Sequence, residues 1–378
     1  MPSVADSFLG VATPSLLVDR AVVEANCVRM REKAVRSGVS FRPHVKTHKT
    51  LEVARMQGGG ELGPITVSTL AEAEWFADGG FEDITYAVPI DPQKLRRAAT
   101  LMRRVRHLNL LLDHPEALAA VEAFHRATGV RFEVFLKVDC GYHRAGVDPD
   151  APASIDLARR MATSPDIEFR GFLTHAGHSY NVRTADEIRA LAVQESAAVT
   201  RLRDHLGLAN AAALIRSVGS TPTASLVESF SDCEEVRPGN YVFYDAFQAA
   251  VGACTLEDVG ASVLTSVIGV YPQQRKIMLD AGALALSKDL GAEHPGGSPG
   301  YGIVCDLDLT PLPFRLVSVS QEHGQAVALE PFDVTGIEIG SRLRIIPNHS
   351  CLTAALFEHY VVIENGEVIA LWRPVRGW

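Results

Sequence analysis

Two short segments carry side chains whose types and spacing could do chemistry. Arg42-Pro-His-Val-Lys-Thr-His-Lys49 closes an apolar run. If residues 40–46 form a strand, alternation puts Arg42, His44 and Lys46 on one face and Phe41, Pro43 and Val45 on the other. Lys46 then points into a polar cavity beside Arg42 and Arg144, where lost hydration favours a neutral amine able to form a Schiff base; the alternative is a structural lysine in an ion pair. Near the other end of the chain, Asn348-His-Ser-Cys351 sets His349 and Cys351 two apart. On an extended segment both face the same way and could ligate one zinc through nitrogen and thiolate, leaving positions for water and substrate. A buried cysteine beside a satisfied histidine is the other reading.

Gly219-Ser-Thr-Pro-Thr223 and Gly239-Asn240 add two glycine-rich turns. Glycines permit close approach and hydroxyls add donors, so each could hold a phosphate, or be an ordinary Ser/Gly turn. Gly58-Gly-Gly-Glu-Leu-Gly63 spells a dinucleotide fingerprint but follows a helical stretch and precedes a strand-like one, the reverse of the order such a site needs. Metalloprotease HExxH, P-loop and GxSxG patterns do not occur.

The elements that must position these groups alternate between helical and β-branched stretches. Helical periodicity covers Ala21–Ser37, Thr50–Gln57, Ala71–Asp78, Pro92–Arg103, Pro115–Thr128, Pro152–Thr163 and Ala185–His205. Strand-like runs lie near 40–46, 64–69, 83–88, 107–112, 131–138, 167–174, 213–218 and 233–237. Eight strands with intervening helices predict an α/β fold, a (β/α)8 barrel over 20–247. Residues 13–19 form a further strand that needs a partner outside the barrel. After 248 the helical period gives way to runs such as Ala261–Val270, Lys276–Asp280, Phe314–Ser320, Arg342–Ile346 and Tyr360–Glu364, with a hairpin signal at Asn365-Gly366 and a loop over 291–302. Residues 1–19 and 248–378 therefore form a second, mostly β domain that carries the His349/Cys351 motif. In a barrel, reactive groups gather on the rim at the C-terminal ends of the strands. Lys46, Ser68-Thr69, Asp139-Cys-Gly-Tyr-His-Arg144, His175-Ala-Gly-His-Ser-Tyr180, Gly219–Thr223 and Arg237-Pro-Gly-Asn-Tyr241 all fall there.

The 378 residues are 47% hydrophobic and 21% charged, enough for a large core, with a net charge of −9 and a pI near 5.8. Basic residues are scattered, so a small-molecule partner is expected rather than nucleic acid. With no basic leader and no run of about 18 apolar residues, a cytoplasmic protein without a membrane partner is expected. Six cysteines without a CxxC pair read as reduced thiols.

Together, Arg42–Lys49, Thr174-His-Ala-Gly-His178, Ser217-Val-Gly-Ser-Thr-Pro222, Gly239-Asn-Tyr-Val-Phe-Tyr-Asp245, Gln321-Glu-His-Gly324 and Pro347-Asn-His-Ser-Cys351 occur in an order and spacing that resembles the D-serine dehydratase and D-threonine aldolase family. The resemblance runs from residue 13 to Trp378. It implies the alanine-racemase-like fold and pyridoxal 5'-phosphate held by Lys46. It also implies Arg144 beside the ring hydroxyl, Tyr180 near the cofactor, Ser220, Thr221, Gly239 and Asn240 around the phosphate, and His349 and Cys351 on zinc or another divalent metal. Aldolases of the group typically show H-x-D and dehydratases H-x-C, and this chain has Cys351, whose thiolate favours zinc over harder ions. The resemblance thus implies a homodimeric lyase that converts a D-3-hydroxyamino acid such as D-serine, D-threonine or D-threo-3-hydroxyaspartate to a 2-oxo acid and ammonia. The alternatives are a metal-dependent D-threonine aldolase and a non-catalytic pyridoxal-phosphate carrier.

Overall fold

Parallel pairing dominates the middle of the chain because each strand there is followed by a helix that must cross back over the sheet. The computed structural model describes residues 8, 10–209, 211–290, 300–329 and 332–378. Its residues group into two units: a barrel unit of Val28–Gly239 with Val375–Trp378, and a sheet unit of Met1–Cys27 with Asn240–Pro374. Strand β1 (Ser15–Asp19) leads into helix α1 (Arg20–Ser37), inside which the division falls. There follow β2 (Ser40–Phe41), α2 (Leu51–Gln57), β3 (Ile65–Val67), α3 (Leu70–Asp78), β4 (Asp83–Pro89), α4 (Leu95–Met102), β5 (His107–Leu112) and α5 (Pro115–Thr128). The barrel unit continues through β6 (Glu133–Lys137), α6 (Pro152–Thr163), β7 (Glu168–Leu173), α7 (Ala185–His205), β8 (Ile215–Val218), α8 (Thr221–Leu226) and β9 (Glu235–Val236).

These eight strands pair in parallel in the order β2-β9-β8-β7-β6-β5-β4-β3. The ring closes just past β2, where His44 bridges Thr66 of β3 in parallel, with Val45 N–H donating to Thr66 O at 2.9 Å and Thr66 N–H to Pro43 O at 2.9 Å. The predicted (β/α)8 barrel is therefore present. Alternation sorts its side chains: Leu110, Leu112, Val134 and Leu136 pack with helix residues such as Phe76, Val121, Met161 and Leu202, whereas Leu111, Phe135 and Leu173 form a separate cluster. Each fully buried Leu or Phe contributes about 1.5–3 kcal/mol of transfer free energy. Local signals set the helix ends. Pro115 and Pro152 open α5 and α6, Thr184 and Glu187 form a capping box before α7, and α5 stops where Gly129 turns left-handed at φ 74°.

One expectation fails at the start of the barrel. The strand over 40–46 is regular only to Phe41; Arg42 and His44 N–H still donate to Val236 O at 3.0 Å and Pro238 O at 2.9 Å, and residues 45–48 then form a turn closed by Lys49 N–H on Val45 O at 2.8 Å. Arg42, expected beside Lys46, is instead buried in ion pairs with Glu235 and Asp83, each 2.6 Å away.

The sheet unit holds α9 (Ala246–Ala250), β10 (Ala261–Tyr271), β11 (Lys276–Leu279), α10 (Ala283–Leu286), β12 (Gly302–Cys305), β13 (Phe314–Val319), β14 (Gly324–Ala328), β15 (Arg342–Pro347), α11 (Ser350–Ala354), β16 (Tyr360–Glu364) and β17 (Glu367–Trp372). The predicted early strand finds its partners here: β1 lies antiparallel to β10 and parallel to β16. Its sheet runs β13-β14-β11-β10-β1-β16-β17, with β15 paired to β10 and β12. Asn365 and Gly366 make the expected hairpin turn with φ 51° and 79°, the double positive φ of a type I′ turn. Of the loop read over 291–302, residues 291–299 lie outside the described residues, and Gly302 already belongs to β12. Among the described residues no helix is long and apolar enough to cross a membrane.

Candidate active site

In the barrel unit the turn over 45–48 presents a half-buried Lys46, with its backbone N–H on His44 Nδ1 at 3.3 Å. His44 Nε2 meets Ser68 Oγ at 3.4 Å, and His175 Nδ1 meets Gly219 O at 3.3 Å. Both imidazoles are held well below their ordinary range, by burial first and then by the positive charge of Lys46, with Arg237 adding to each. Their cationic forms are therefore disfavoured. Lys137 is buried at the end of β6, and burial together with Arg237 and Arg144 pulls its pKa down to about 8. Arg237 is buried as well, donating to Ser217 Oγ at 2.6 Å and to Thr174 O. The rim therefore gathers Lys46, Lys137, Arg144 and Arg237, a positive field suited to an anionic ligand. Sequence reasoning placed Arg237 on the rim but missed Lys137; a lysine closing the apolar run Glu133–Lys137 was the available signal.

The two glycine turns stand side by side. A Cβ on Gly219, whose φ is 117°, would lie 3.0 Å from Arg237 N, and one on Gly239 would lie 2.9 Å from His44 Cβ. Only glycine lets the two turns and the His44–Lys46 segment approach so closely. Ser220 caps α8 and its Oγ sits 2.9 Å from Ser179 Oγ; Thr221 is the first residue of that helix. The open turn expected over 219–223 is thus a loop that becomes a helix. Gly219 N–H is already taken by Glu195 Oε1 at 3.1 Å, so this amide does not face a ligand. Arg144 lies over the Tyr142 ring at 5.0 Å, Tyr142 stacks on His178, and Tyr180 closes the helical turn Gly177–Tyr180 after β7. Both belong to the rim that carries Lys46.

In the sheet unit, His349 and Cys351 are not on an extended segment. His349 is the N-cap of α11 and Cys351 lies in its first turn, yet the two side chains stay within hydrogen-bond reach. Burial would lower the His349 pKa, but its hydrogen bonds to Asp289 and Cys351 raise it to about 11. His349 Nδ1 lies 3.0 Å from Asp289 Oδ2, the carboxylate–histidine arrangement in which Nε2 would be the atom free for a metal. Asp245 braces the motif, accepting from Ser350 N–H at 3.0 Å and from Asn240 Nδ2 at 2.9 Å. Asn240 also reaches Ser350 Oγ at 2.8 Å and Cys351 Sγ at 3.5 Å. Its side chain serves the His349/Cys351 motif, which leaves its backbone for the expected phosphate cradle. Among the described residues no group of three or more His, Cys, Asp or Glu is placed to hold a metal. The nitrogen and thiolate donors of His349 and Cys351 fit a borderline-soft ion with open positions. Replacing Asp289 with alanine is expected to weaken metal affinity about 10–100-fold, as removal of such a carboxylate partner does, read by competition with a chelating dye.

Comparison with known proteins agrees with both halves. The alanine racemase N-terminal domain family matches residues 18–246 and a serine dehydratase domain family matches residues 260–363. D-serine dehydratase of Dictyostelium discoideum is 38% identical, covering 99% of this chain and 99% of its own. D-threo-3-hydroxyaspartate dehydratase of Delftia sp. (strain HT23) is 38% identical over 99% of this chain and 100% of its own. A solved cysteine-to-alanine variant of D-threo-3-hydroxyaspartate dehydratase, in the metal-free form, superposes with a TM-score of 0.91 at 38% identity, covering 99% of this chain and 100% of that one. The chain belongs to the D-serine dehydratase family, pyridoxal-phosphate-dependent lyases with the alanine-racemase-like fold.

Proposed function

We propose that this protein is a dehydratase that converts a D-3-hydroxyamino acid, such as D-serine, D-threonine or D-threo-3-hydroxyaspartate, to a 2-oxo acid and ammonia. The observation that carries the reading is Cys351 beside a His349 oriented by Asp289, a donor pair that suits zinc. Relatives that share nearly the whole chain at 38% identity act as dehydratases of D-serine and of D-threo-3-hydroxyaspartate.

Lys46 would carry pyridoxal 5'-phosphate, Ser220 and Thr221 would contribute hydroxyls to its phosphate, and Gly239 and Asn240 would contribute backbone. Arg144 would face the ring hydroxyl, and Tyr180 would flank the cofactor. The cofactor, when bound, would supply an electron sink for negative charge at Cα, and zinc, which His349 and Cys351 would hold, would supply Lewis acidity at the β-hydroxyl. Lys46 Nζ is assigned the α-proton, because burial first, and then the cations around them, disfavours charge on the His44 and His175 imidazoles. Lys137 and Arg237 maintain the positive field that favours the substrate carboxylate and the phosphate. Loss of the hydroxyl gives an enamine that water converts to the 2-oxo acid and ammonia. A cytoplasmic location keeps the Cys351 thiol reduced, as metal binding requires, and the family resemblance supports a homodimer.

Product identity tests the reaction. With D-threonine and zinc, 2-oxobutanoate and ammonia are expected in equal amounts; glycine and acetaldehyde instead would establish the aldolase.

A further inference from the structure

The loop Gly219–Thr221 is only as well placed as the six-residue helix α8 that follows it. Packing does not fix α8 on every side. One flank borders a cleft of about 350 Å³ lined by residues including Val193, Thr200, Ala224, Val227, Phe230 and Cys233. Two charged side chains hold the ends of the helix instead.

At its start, Glu195 of α7 is buried on the helix face that also carries Ile188, Ala198, Val199 and Leu202. Its Oε1 accepts from Ala176 N–H at 2.8 Å and Gly219 N–H at 3.1 Å, and its Oε2 accepts from Thr223 Oγ1 at 3.2 Å. One carboxylate thus joins the loop after β7 to the loop after β8. At the far end, Lys33 of α1 donates to the carbonyls of Ala224 at 2.9 Å, Ser225 at 2.9 Å and Val227 at 2.6 Å, the acceptors that a helix C-terminus leaves without intrahelical partners. Its ammonium also sits 5.8 Å from the centre of the Phe230 ring. Neither residue belongs to the rim.

We propose that Glu195 and Lys33 are positioning residues for the cofactor phosphate, clamping α8 from its two ends so that Ser220 and Thr221 stay in register with Gly239. The proposal rests on the reading of Gly219–Thr221 as part of the phosphate cradle. Its mark is a loss that depends on the phosphate: a displaced cradle weakens pyridoxal phosphate but not pyridoxal, which lacks the phosphate.

The test strips the cofactor from the full-length protein by dialysis and titrates it back with pyridoxal phosphate or with pyridoxal, following the visible absorbance. Lys33→Met and Glu195→Ala are expected to raise the Kd for pyridoxal phosphate about 10-fold, the equivalent of one charge-assisted hydrogen bond, with pyridoxal affinity unchanged. Lys33→Arg and Glu195→Gln should recover most of the loss, since a guanidinium still donates to the carbonyls and a carboxamide oxygen still accepts both N–H groups. Wild-type affinity in Lys33→Met and Glu195→Ala, or equal weakening of both ligands, overturns the proposal. Thr221→Val separates the layers. Unchanged affinity there overturns the cradle reading and this proposal with it, whereas loss there alone overturns only the clamp. Should Glu195→Ala not fold, the two Lys33 variants decide.

Discussion

Lys46→Ala protein is expected to lose turnover by about 10⁴-fold, the upper end of what a positioned proton-transfer group contributes, while folding as the wild type does. The large effect follows from two duties proposed for one amine, anchoring the cofactor and moving the α-proton. Removing it ends both. Stability should hardly change, because the turn over 45–48 is kept by backbone bonds, Val45 N–H to Thr66 O at 2.9 Å and Lys49 N–H to Val45 O at 2.8 Å. Substitutions at such partly exposed positions usually stay within about 0.5 kcal/mol. Lys46→Arg should be equally inactive, since a guanidinium cannot take the place of a nucleophilic amine. Borohydride reduction followed by peptide mass analysis supplies a readout apart from rate: the wild-type peptide containing Lys46 should gain the cofactor's mass and the variants' should not. Full turnover by Lys46→Ala would remove this residue from the mechanism.

The second large effect is expected at Cys351. Cys351→Ala should reduce bound metal from about one ion per chain to nearly none and lower dehydration about 10³-fold, corresponding to the several kcal/mol that a Lewis acid contributes. His349 alone is a weak site, and Asp289 is occupied in orienting it through Nδ1 at 3.0 Å. Elemental analysis and ammonia release measure the two outcomes together. Wild-type protein treated with EDTA should lose activity to the same degree and regain it with zinc, whereas the alanine variant should not respond. Activity that survives complete chelation would eliminate the metal. Cys351→Asp offers a finer probe, because a carboxylate in place of the thiolate should shift preference toward harder ions such as manganese.

Much of the fold was legible because the periodicities were clean. The helices at Pro115–Thr128, Pro152–Thr163 and Ala185–His205 have the predicted limits, since proline or a capping box opens each of them. β1 declared itself by standing ahead of the first helix with no βα partner. The misreading at 40–46 has a definite place: pairing continues past Pro43 to His44, and the chain turns at Val45 where alternation predicts one more pair of residues. Lys46 still reaches the rim, by a turn rather than by a strand.

The supporting carboxylates were harder to see. Glu195, Asp245 and Asp289 act on residues distant in sequence, and nothing near Gly219, Asn240 or His349 names them. Glu195 did leave a trace, an acidic residue on the helix face shared by Ile188, Val199 and Leu202, where burial without partners would be costly. The role of the Asn240 side chain was hidden for another reason. Its place after Gly239 suggested a phosphate, while its side chain was committed to Asp245 and Ser350.

The position of β1 also bears on how the chain is made. The barrel unit is nearly continuous in sequence, so it can form as it leaves the ribosome, whereas β1 pairs with strands that begin at Ala261 and Tyr360. At about 5–20 residues per second, Leu16, Leu17 and Val18 wait on the order of ten to fifty seconds for β10. Through that interval they present an unpaired apolar edge, the kind of segment that recruits other chains. The strand that binds the two ends of the sheet unit together is the one most in need of a chaperone during synthesis.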